Sequence, residues 1–145
     1  MAAPMMFPFH LAFPVTDLQA TEQFYVRGLG CAVGRRSSRW IDFDLFGHQL
    51  SAHLCSTPTT DAVVNAVDGD AVPIPHFGCV LNMDTWRALR ERLDAYGFQF
   101  EIEPRIRFAG KPGEQATLFI RDPSGNALEF KAFADPTKLF VSQSD

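Results

Sequence analysis

Short apolar runs and helical segments alternate along the chain, and the order found in the first half returns in the second. Residues 9–15 open the first half and residues 75–81 open the second, and each run carries one histidine near its start, His10 or His76. A repeated pattern indicates that one structural unit occurs twice. We therefore predict two copies of one module, at about residues 7–55 and 75–134, within a single domain that spans residues 1–145.

A helix is predicted after each opening run. In the first half the start signal is Thr16-Asp17, with Gln19 at capping-box spacing from Thr16, and in the second half the start signal is Asp84. One apolar stripe at helical spacing runs along the second helix: Trp86, Leu89, Leu93 and Tyr96. Gly97 then fits the left-handed residue that ends many helices.

Three strand-like segments follow each helix, because apolar and polar residues alternate there with the period of a β-strand. They cover residues 33–34, 39–45 and 49–54 in the first half, and residues 98–102, 117–121 and 127–131 in the second. The sequence Asp-Pro-Ser-Gly-Asn at residues 122–126 is a strong turn signal between the last two strands. Each half therefore has the order β-α-β-β-β, and the predicted fold class is α+β.

Two segments lack this periodicity. The linker between the modules, about residues 56–74, is long for a connection inside a compact domain, and it has room for a short helix near residues 62–67. The loop at residues 104–115 is rich in Gly and Pro, and its position between two strands suits a lid.

Alternation also separates the two faces of the predicted sheet. The bulky apolar side chains share one face, which we expect the helices to cover. The opposite face gathers polar side chains and two aromatic ones: His10, Trp40, Gln49, His53, His76, Phe119, Arg121 and Glu129. A concave surface that is partly aromatic and partly ionisable is the usual arrangement of a small-molecule site.

Composition narrows the function classes. The formal net charge is −4, and no run of Lys or Arg provides the basic footprint of a nucleic-acid-binding protein. No apolar stretch approaches the roughly 18 residues of a membrane span, and the first residues do not form a secretory signal. The three cysteines make no CxxC pair, which indicates reduced thiols and a cytoplasmic location.

Three segments resemble the vicinal oxygen chelate superfamily, which includes glyoxalase I, extradiol dioxygenases and bleomycin-resistance proteins. They are residues 9–12 (FHLA), residues 76–78 (HFG) and, most specifically, residues 119–130 (FIRDPSGNALEF). The resemblance covers about residues 7–134. It implies that two βαβββ modules form a U-shaped, partly closed, eight-stranded mixed sheet around a central metal cavity.

In that family, the opening histidine of each module and the closing glutamate of the second module bind a divalent metal ion. The resemblance therefore implies His10, His76 and Glu129 as the ligands. Two imidazoles and one carboxylate form the facial triad of non-haem Fe(II) oxygenases, so Fe(II) is favoured. The same donors also suit Zn, Ni or Mn.

The family's glyoxalase I enzymes usually take a fourth ligand, often Glu, from the last strand of the first module. Aligning Gly47 with Gly125 places Ser51 opposite Glu129, so this chain has no carboxylate there. His53 follows on the same face and is a candidate fourth ligand or acid/base. The remaining polar-face residues are the predicted substrate pocket: Trp40, Gln49, Ser51, Phe119 and Arg121.

Three functions are compatible with these residues. The favoured one is an extradiol-type dioxygenase whose substrate chelates the metal through neighbouring oxygens, because the three-ligand pattern lacks the fourth carboxylate. The alternatives are a glyoxalase-like lyase or isomerase, or a fosfomycin-type transferase, and a non-catalytic drug-binding protein of the bleomycin-resistance type. Each binds a small molecule, and the resemblance implies a homodimer.

Overall fold

The computed structural model describes residues 6–57 and 63–142, and within them the chain has the predicted α+β class. The chain divides into two compact units, residues 1–58 and 59–145. Each unit holds one four-stranded mixed sheet. Within the described ranges no sheet closes on itself, and the U-shaped eight-stranded sheet stays a prediction.

The first unit has the predicted order of strand, helix and three strands. In chain order its elements are β1 (His10–Val15), α1 (Leu18–Gln23), β2 (Ala32–Arg36), β3 (Trp40–Leu45) and β4 (His48–Leu54). β4 pairs in parallel with β1 and antiparallel with β3, which gives the strand order β1-β4-β3-β2. The core of this unit is aromatic: Tyr25 stacks on Phe43 with ring centroids 5.1 Å apart, and both side chains are buried.

The second unit repeats that order and precedes it with two further strands. In chain order its elements are β5 (Val63–Val67), β6 (Asp70–Ile74), β7 (Phe77–Val80), α2 (Met83–Ala95), β8 (Ile102–Arg107), β9 (Gln115–Arg121) and β10 (Ala127–Phe133). Its four-stranded sheet has the order β7-β10-β9-β8, with β10 parallel to β7. This is the order of the first sheet, so the predicted duplication extends to strand pairing.

The predicted short helix at residues 62–67 is wrong over residues 63–67, which form the first strand of a β-hairpin, and residue 62 lies outside the described residues. β5 and β6 pair antiparallel around a two-residue turn of Asp68 and Gly69. Both turn residues have positive φ, 45° and 87°, as the favoured hairpin turn requires. An Asp-Gly pair between runs of β-branched residues was the sequence signal for this hairpin, and it outweighs the weak helical pattern.

The first α-helix begins within its predicted start signal, and the second begins two residues before its predicted one. Asp17, the second residue of the predicted Thr16-Asp17 signal, caps α1 by accepting a hydrogen bond from the backbone N–H of Ala20 at 3.0 Å. Asn82, rather than Asp84, caps α2 in the same way through the N–H of Thr85 at 2.8 Å. None of the helices in the described ranges has both the length and the apolar sequence that a membrane span requires.

The predicted strand at residues 98–102 lies further along the chain, at Ile102–Arg107. The backbone N–H of Phe98 still bonds the carbonyl of Leu93 at 3.1 Å, which closes the end of α2 and delays the strand. β8 then pairs with β9 as far as Arg107 and Gln115. The predicted loop at residues 104–115 is therefore reduced to residues 108–114.

The predicted separation of faces is confirmed for the bulky apolar residues. In β3, Ile41, Phe43 and Leu45 are all buried, and in β10, Leu128 and Phe130 are fully buried. The polar face is less uniform than alternation suggests. Ser51 and Phe119, both assigned to that face, are buried as well, because neighbouring side chains of the same face cover them.

Candidate metal centre

His76 and Glu129 face each other in the second unit. Nε2 of His76 lies 3.3 Å from Oε1 of Glu129, and the two side chains are 24% and 13% exposed. His76 directly precedes β7, and Glu129 lies within β10, where its partner on β7 is Gly78. The parallel pairing of these two strands therefore brings the opening histidine of the module to its closing carboxylate.

Gly78 makes this close approach of the two strands possible. A Cβ atom at this position would overlap the backbone carbonyl of Glu129. Backbone atoms cannot move aside as the end of a flexible side chain can. A glycine is therefore required at position 78 because a second backbone passes close to it, and not because the chain turns there.

The orientation of Glu129 is fixed by its neighbour on β9. The hydroxyl of Thr117 donates a hydrogen bond to Oε2 of Glu129 at 2.6 Å, and Thr117 is completely buried. Because Oε2 is held there, Oε1 is the oxygen directed at His76. Such supporting hydrogen bonds orient the ligands of metal sites.

The tautomer of His76 follows from its second hydrogen bond. Nδ1 lies 2.7 Å from the backbone carbonyl of Pro73. A carbonyl oxygen can only accept, so Nδ1 carries the proton and donates it. In the neutral ring, Nε2 then carries the lone pair that a metal ion needs, and it points towards Glu129.

The spacing of this pair suits a shared ion. Two donor atoms, each about 2.1 Å from one ion, lie about 3.0–3.4 Å apart for angles of roughly 90–109° at the ion. The observed distance between Nε2 of His76 and Oε1 of Glu129 is 3.3 Å. The residues present therefore fit a divalent cation, with imidazole and carboxylate donors that suit Fe, Zn, Ni or Mn.

The two groups also shift each other's protonation. The hydrogen bond to Glu129 raises the pKa of His76 above 6.5, against the opposing effect of burial. Burial tends to raise the pKa of Glu129, but the hydrogen bonds from His76 and Thr117 and the charge of Lys131 outweigh it and lower that pKa below 4.5. The carboxylate is thus ionised at neutral pH and ready to bind a cation.

His10 is held in the first unit by an arrangement similar to that of His76. Its Nδ1 lies 2.8 Å from Oε1 of Gln49. Nε2 of Gln49 donates to Asp42 at 3.4 Å, and the Ser51 hydroxyl donates to the same carboxylate at 2.6 Å. The amide oxygen of Gln49 therefore faces His10, so Nδ1 carries the proton and Nε2 carries the lone pair.

The contacts of Gln49 and Ser51, two of the predicted pocket residues, are with His10 and Asp42. Gln49 contacts His10 itself, and Ser51 is buried against Asp42. A cavity of about 350 Å³ in the first unit is lined by Gln49 and Asp42 together with Arg35. Gln49 is thus both a wall of a cavity and the support of His10.

His53 lies away from His10 along the first sheet. His10 is paired with Gln49, whereas His53 is paired with Pro14 on β1 and with Trp40 on β3. His53 lies four residues beyond Gln49 on β4, which corresponds to about 13 Å along the strand. Trp40 is half-buried and contacts the Arg35 guanidinium, which lies 5.9 Å from its ring centroid.

Phe119 and Arg121, the predicted pocket residues of β9, have different surroundings. The Phe119 ring packs edge-on against His76, with ring centroids 5.0 Å apart. Arg121 instead pairs with Glu101 at 3.1 Å and donates to the carbonyl of Gly125 at 3.0 Å. Phe119 therefore adjoins the His76–Glu129 pair, and Arg121 stabilises the turn before β10.

Two of the three predicted ligands are thus brought together. Among residues 6–57 and 63–142, no three His, Cys, Asp or Glu side chains gather into a group that could hold an ion. His76 and Glu129 belong to the second unit, and His10 belongs to the first. The participation of His10 stays a prediction.

Sequence reasoning missed the residues that orient the predicted ligands. Thr117 and Asp42 lie on the polar faces of their strands, and the alternation of β9 and β3 was the available signal. Thr117 pairs with Lys131 and Asp42 pairs with Ser51 across their strands. The role of Pro73 had no sequence signal, because it acts through its backbone carbonyl.

Comparisons with known proteins agree with this fold. A family model described as the Glyoxalase/Bleomycin resistance protein/Dioxygenase superfamily matches residues 8–130. The comparison with curated proteins gave no match. A glyoxalase/bleomycin resistance protein/dioxygenase from Alicyclobacillus acidocaldarius is 32% identical with a TM-score of 0.79, over 92% of this chain and 96% of that chain.

Two further structures are similar in fold. The fosfomycin resistance protein FosX from Listeria monocytogenes is 16% identical, with a TM-score of 0.67, over 96% of this chain and 100% of its own. Lactoylglutathione lyase from Agrobacterium tumefaciens is 19% identical, with a TM-score of 0.64, over 97% and 100%. Because the family model matches most of the chain, the protein belongs to the glyoxalase/bleomycin resistance protein/dioxygenase superfamily, the vicinal oxygen chelate proteins that its sequence resembles.

Proposed function

We propose that the protein is a metal-dependent enzyme in which His10, His76 and Glu129 bind one divalent cation, with Fe(II) favoured and Zn, Ni or Mn as alternatives. The observation that carries this proposal is the pair of Nε2 of His76 and Oε1 of Glu129, 3.3 Å apart. Each histidine has its Nδ1 occupied, by Pro73 or by Gln49. In both imidazoles Nε2 is therefore the nitrogen left for an ion, since a metal-binding histidine donates the N–H of its other ring nitrogen to a nearby acceptor.

We favour an extradiol-type dioxygenase among the metal-dependent reactions. The strand register supports this choice. In the first module Ser51 pairs with Ala12, two residues after His10, and in the second module Glu129 pairs with Gly78, two residues after His76. Ser51 thus holds the position in the first module that Glu129 holds in the second, and its hydroxyl is engaged with Asp42. A site with three protein ligands leaves positions open for a substrate that chelates through two neighbouring oxygens.

The protein residues have defined roles in such a site. When bound, the ion would act as a Lewis acid that lowers the pKa of substrate oxygens. Thr117 holds the Glu129 carboxylate in one orientation, and Phe119 shields the imidazole of His76 on one side. We propose His53 as an acid/base or a bystander rather than a fourth ligand, because Gln49 and not His53 is the strand partner of His10.

The remaining expectations belong to this proposal. We propose a small-molecule substrate, a homodimer and a cytoplasmic location. The U-shaped sheet around the ion is part of the same proposal, with His10 supplied either by the same chain or by a second copy. A glyoxalase-like lyase or isomerase, a fosfomycin-type transferase and a drug-binding protein are the alternative functions.

Metal content tests the site. The protein is purified without chelators, and its metals are measured by elemental analysis beside His10→Ala, His76→Ala and Glu129→Gln. His53→Ala is the matched control, since it removes an exposed histidine of the first sheet. We expect about one equivalent of metal in wild type and in the control, and loss in the three other variants. Wild type that neither contains nor takes up metal would overturn the proposal.

The identity of the metal then directs the assay of the reaction. The Fe(II)-loaded protein is assayed for O2 consumption with catechols, and the Ni- or Zn-loaded protein for turnover of a hemithioacetal or of fosfomycin. Oxygen-dependent ring cleavage supports the dioxygenase. Turnover of the thioacetal or the epoxide without O2 would assign the protein to one of the alternatives.

A further inference from the structure

Arg107 is a buried cation that the proposed metal chemistry does not use. It is the last residue of β8, the edge strand of its sheet, and is only 2% exposed. Nη2 of its guanidinium lies 2.9 Å from Oδ2 of Asp70, and Nη1 donates a hydrogen bond to the backbone carbonyl of Val67. These two partners lie on either side of the turn of the β5–β6 hairpin. Arg107 therefore fastens the hairpin to the edge of the sheet.

The burial of Arg107 distinguishes it from its neighbour Arg105. Arg105 pairs with Asp68 and Asp70 at 3.1 Å each, but its side chain is 36% exposed, and ion pairs of exposed side chains contribute little to stability. A buried guanidinium cannot exchange a lost partner for water, so its separation from Asp70 is strongly unfavourable. The hairpin is therefore held mainly through Arg107.

The same hairpin carries the acceptor that orients His76. The carbonyl of Pro73 accepts the hydrogen bond from Nδ1 of His76 at 2.7 Å, and Pro73 lies on β6, three residues after Asp70. Pro73 is buried, and three residues of a strand span about 10 Å. Because Asp70 and Pro73 belong to one continuous strand, the position of this carbonyl depends on where Arg107 holds the strand.

Arg107 also contacts the aromatic ring that packs on His76. Its guanidinium carbon is 6.0 Å from the centroid of the Phe119 ring. This ring is buried and meets the imidazole edge-on, with centroids 5.0 Å apart. Two groups therefore fix the imidazole, a carbonyl and a ring. Arg107 holds the strand of the first and contacts the second directly.

We infer that Arg107 is a positioning residue for His76. By holding β6 and the Phe119 ring, it keeps the imidazole in the tautomer and the orientation that leave Nε2 for an ion. This inference rests on the proposed function, in which His76 is a ligand, and it adds a form of regulation to it. A metal ion on Nε2 favours the docked hairpin and the docked hairpin favours the ion, since coupling between two sites is reciprocal.

The ring nitrogens of His76 in the metal-free protein give the first test. Their nitrogen NMR resonances are recorded with a chelator at alkaline pH, where the imidazole is neutral, and they report which nitrogen carries the proton. We expect one form in wild type, with the proton on Nδ1. Arg107→Met keeps much of the length of the side chain but loses both hairpin contacts. Its resonances should move towards the average of the two tautomers.

Asp70→Asn is the second variant, and it keeps the test open if Arg107→Met does not fold. It removes the charge that faces Arg107, and its effect on the resonances should have the same direction and a smaller size. Asp68→Asn is the matched control, because Asp68 pairs with Arg105 and not with Arg107. Asparagine tolerates the positive φ of 45° at this position, so the resonances of His76 should stay at their wild-type values.

Metal affinity and hydrogen exchange give the second test. The affinity for Zn²⁺, measured with a metal-sensitive dye, should fall about tenfold in Arg107→Met and less than about twofold in Asp68→Asn. In wild type, Zn²⁺ should slow the exchange of the amides of residues 63–74 more than of those in β2 and β3. If Arg107 serves stability alone, Arg107→Met will lower the free energy of unfolding without changing the tautomer or the affinity. That result would overturn the inference, and unchanged exchange of the hairpin at saturating Zn²⁺ would overturn the coupling.

The two proposals fail in different experiments. A wild-type protein that takes up no metal refutes the metal-dependent enzyme, whereas a tautomer shift in Arg107→Met is measured without metal and still supports the positioning of the imidazole. Normal metal uptake, with an unchanged tautomer and affinity in folded Arg107→Met and in Asp70→Asn, refutes the positioning role and leaves the enzyme standing.

Discussion

The two modules share one backbone plan and differ in the chemistry it carries. Both have a four-stranded sheet in which the last strand lies beside the first, in the orders β1-β4-β3-β2 and β7-β10-β9-β8. At equivalent places, the first module has Ala12 paired with Ser51, and the second has Gly78 paired with Glu129. The first module therefore supports its histidine with an amide, and the second places a carboxylate beside its histidine.

This difference shows how a duplicated fold can carry different chemistry at equivalent positions. A carboxylate occupies one of the two equivalent positions, and the other has a small hydroxyl residue that is buried against Asp42. In the second module, the first and last strands also lie closer to each other, and this leaves no room for a Cβ atom at Gly78. The second module is therefore the more constrained of the two, and substitutions should affect it more strongly.

The largest expected effect is that of Gly78→Ala. Its methyl group would overlap the backbone of Glu129, and forcing apart two paired strands should lower the free energy of unfolding by about 3 kcal/mol or more. Gly34→Ala is the matched control on a strand of the first module, since its Cβ would lie 3.6 Å from Asp42, an ordinary contact. Chemical denaturation measures both, and equal effects of the two variants would contradict the stronger constraint on the second module.

The next largest effects are expected for the residues that hydrogen-bond to the proposed ligands. Thr117→Val removes the hydrogen bond to Glu129 while keeping the volume of the side chain, and Gln49→Ala removes the support of His10. Loss of such a partner lowers metal affinity by roughly 10–100-fold. We expect the larger loss for Thr117→Val, because Thr117 is fully buried and Gln49 is exposed. Competition with a metal-sensitive dye measures both affinities, and no change in either would show that these bonds do not position ligands.

A smaller effect concerns the pH dependence of the metal-free protein. The raised pKa of His76 means that its contribution to stability is present below pH 6.5 and is lost as pH rises through the folded-state value. The lowered pKa of Glu129 means that its contribution is present above pH 4.5 and is lost as pH falls through the folded-state value. The stabilising interaction of the two groups is thus greatest between these values.

This window is tested by measuring the free energy of unfolding from pH 4 to pH 9 in the presence of a chelator. The range crosses the ordinary pKa values of the two side chains, 4.5 for Glu129 and 6.5 for His76. The difference in unfolding free energy between wild type and His76→Gln should be largest inside the window and should shrink towards pH 8. A difference that grows with increasing pH would contradict the ion pair.

The smallest effect is expected for His53→Ala. His53 is exposed and is paired with Pro14, at the position equivalent to Lys131 of the second module. Its removal should change metal affinity less than about twofold and stability by less than about 0.5 kcal/mol, as for other surface positions. A tenfold loss of affinity in the same dye assay would make His53 a ligand and would favour the four-ligand alternatives.

Much of the fold could be predicted from the sequence, because it depends on local periodicity. Alternating residues indicated the strands around Phe43 and Leu128, and the apolar stripe of Trp86 and Leu93 indicated α2. The buried positions of these side chains confirm that reading. The hairpin at residues 63–74 was missed because its decisive signal is two residues long, Asp68 and Gly69, within a segment that was read as a linker.

For the candidate site, the sequence by itself determined which residue types open and close each module: His10, His76 and Glu129. Only the tertiary structure decided how two of them are used, since Thr117 reaches Glu129 from twelve residues away in the chain and the Pro73 carbonyl fixes the tautomer of His76. The same holds for buried Arg107, which contacts Val67 of β5, Asp70 of β6 and the ring of Phe119 of β9. Periodicity records which face of a strand a residue occupies, but the distance between two atoms depends on strand register and packing, which join residues far apart in sequence.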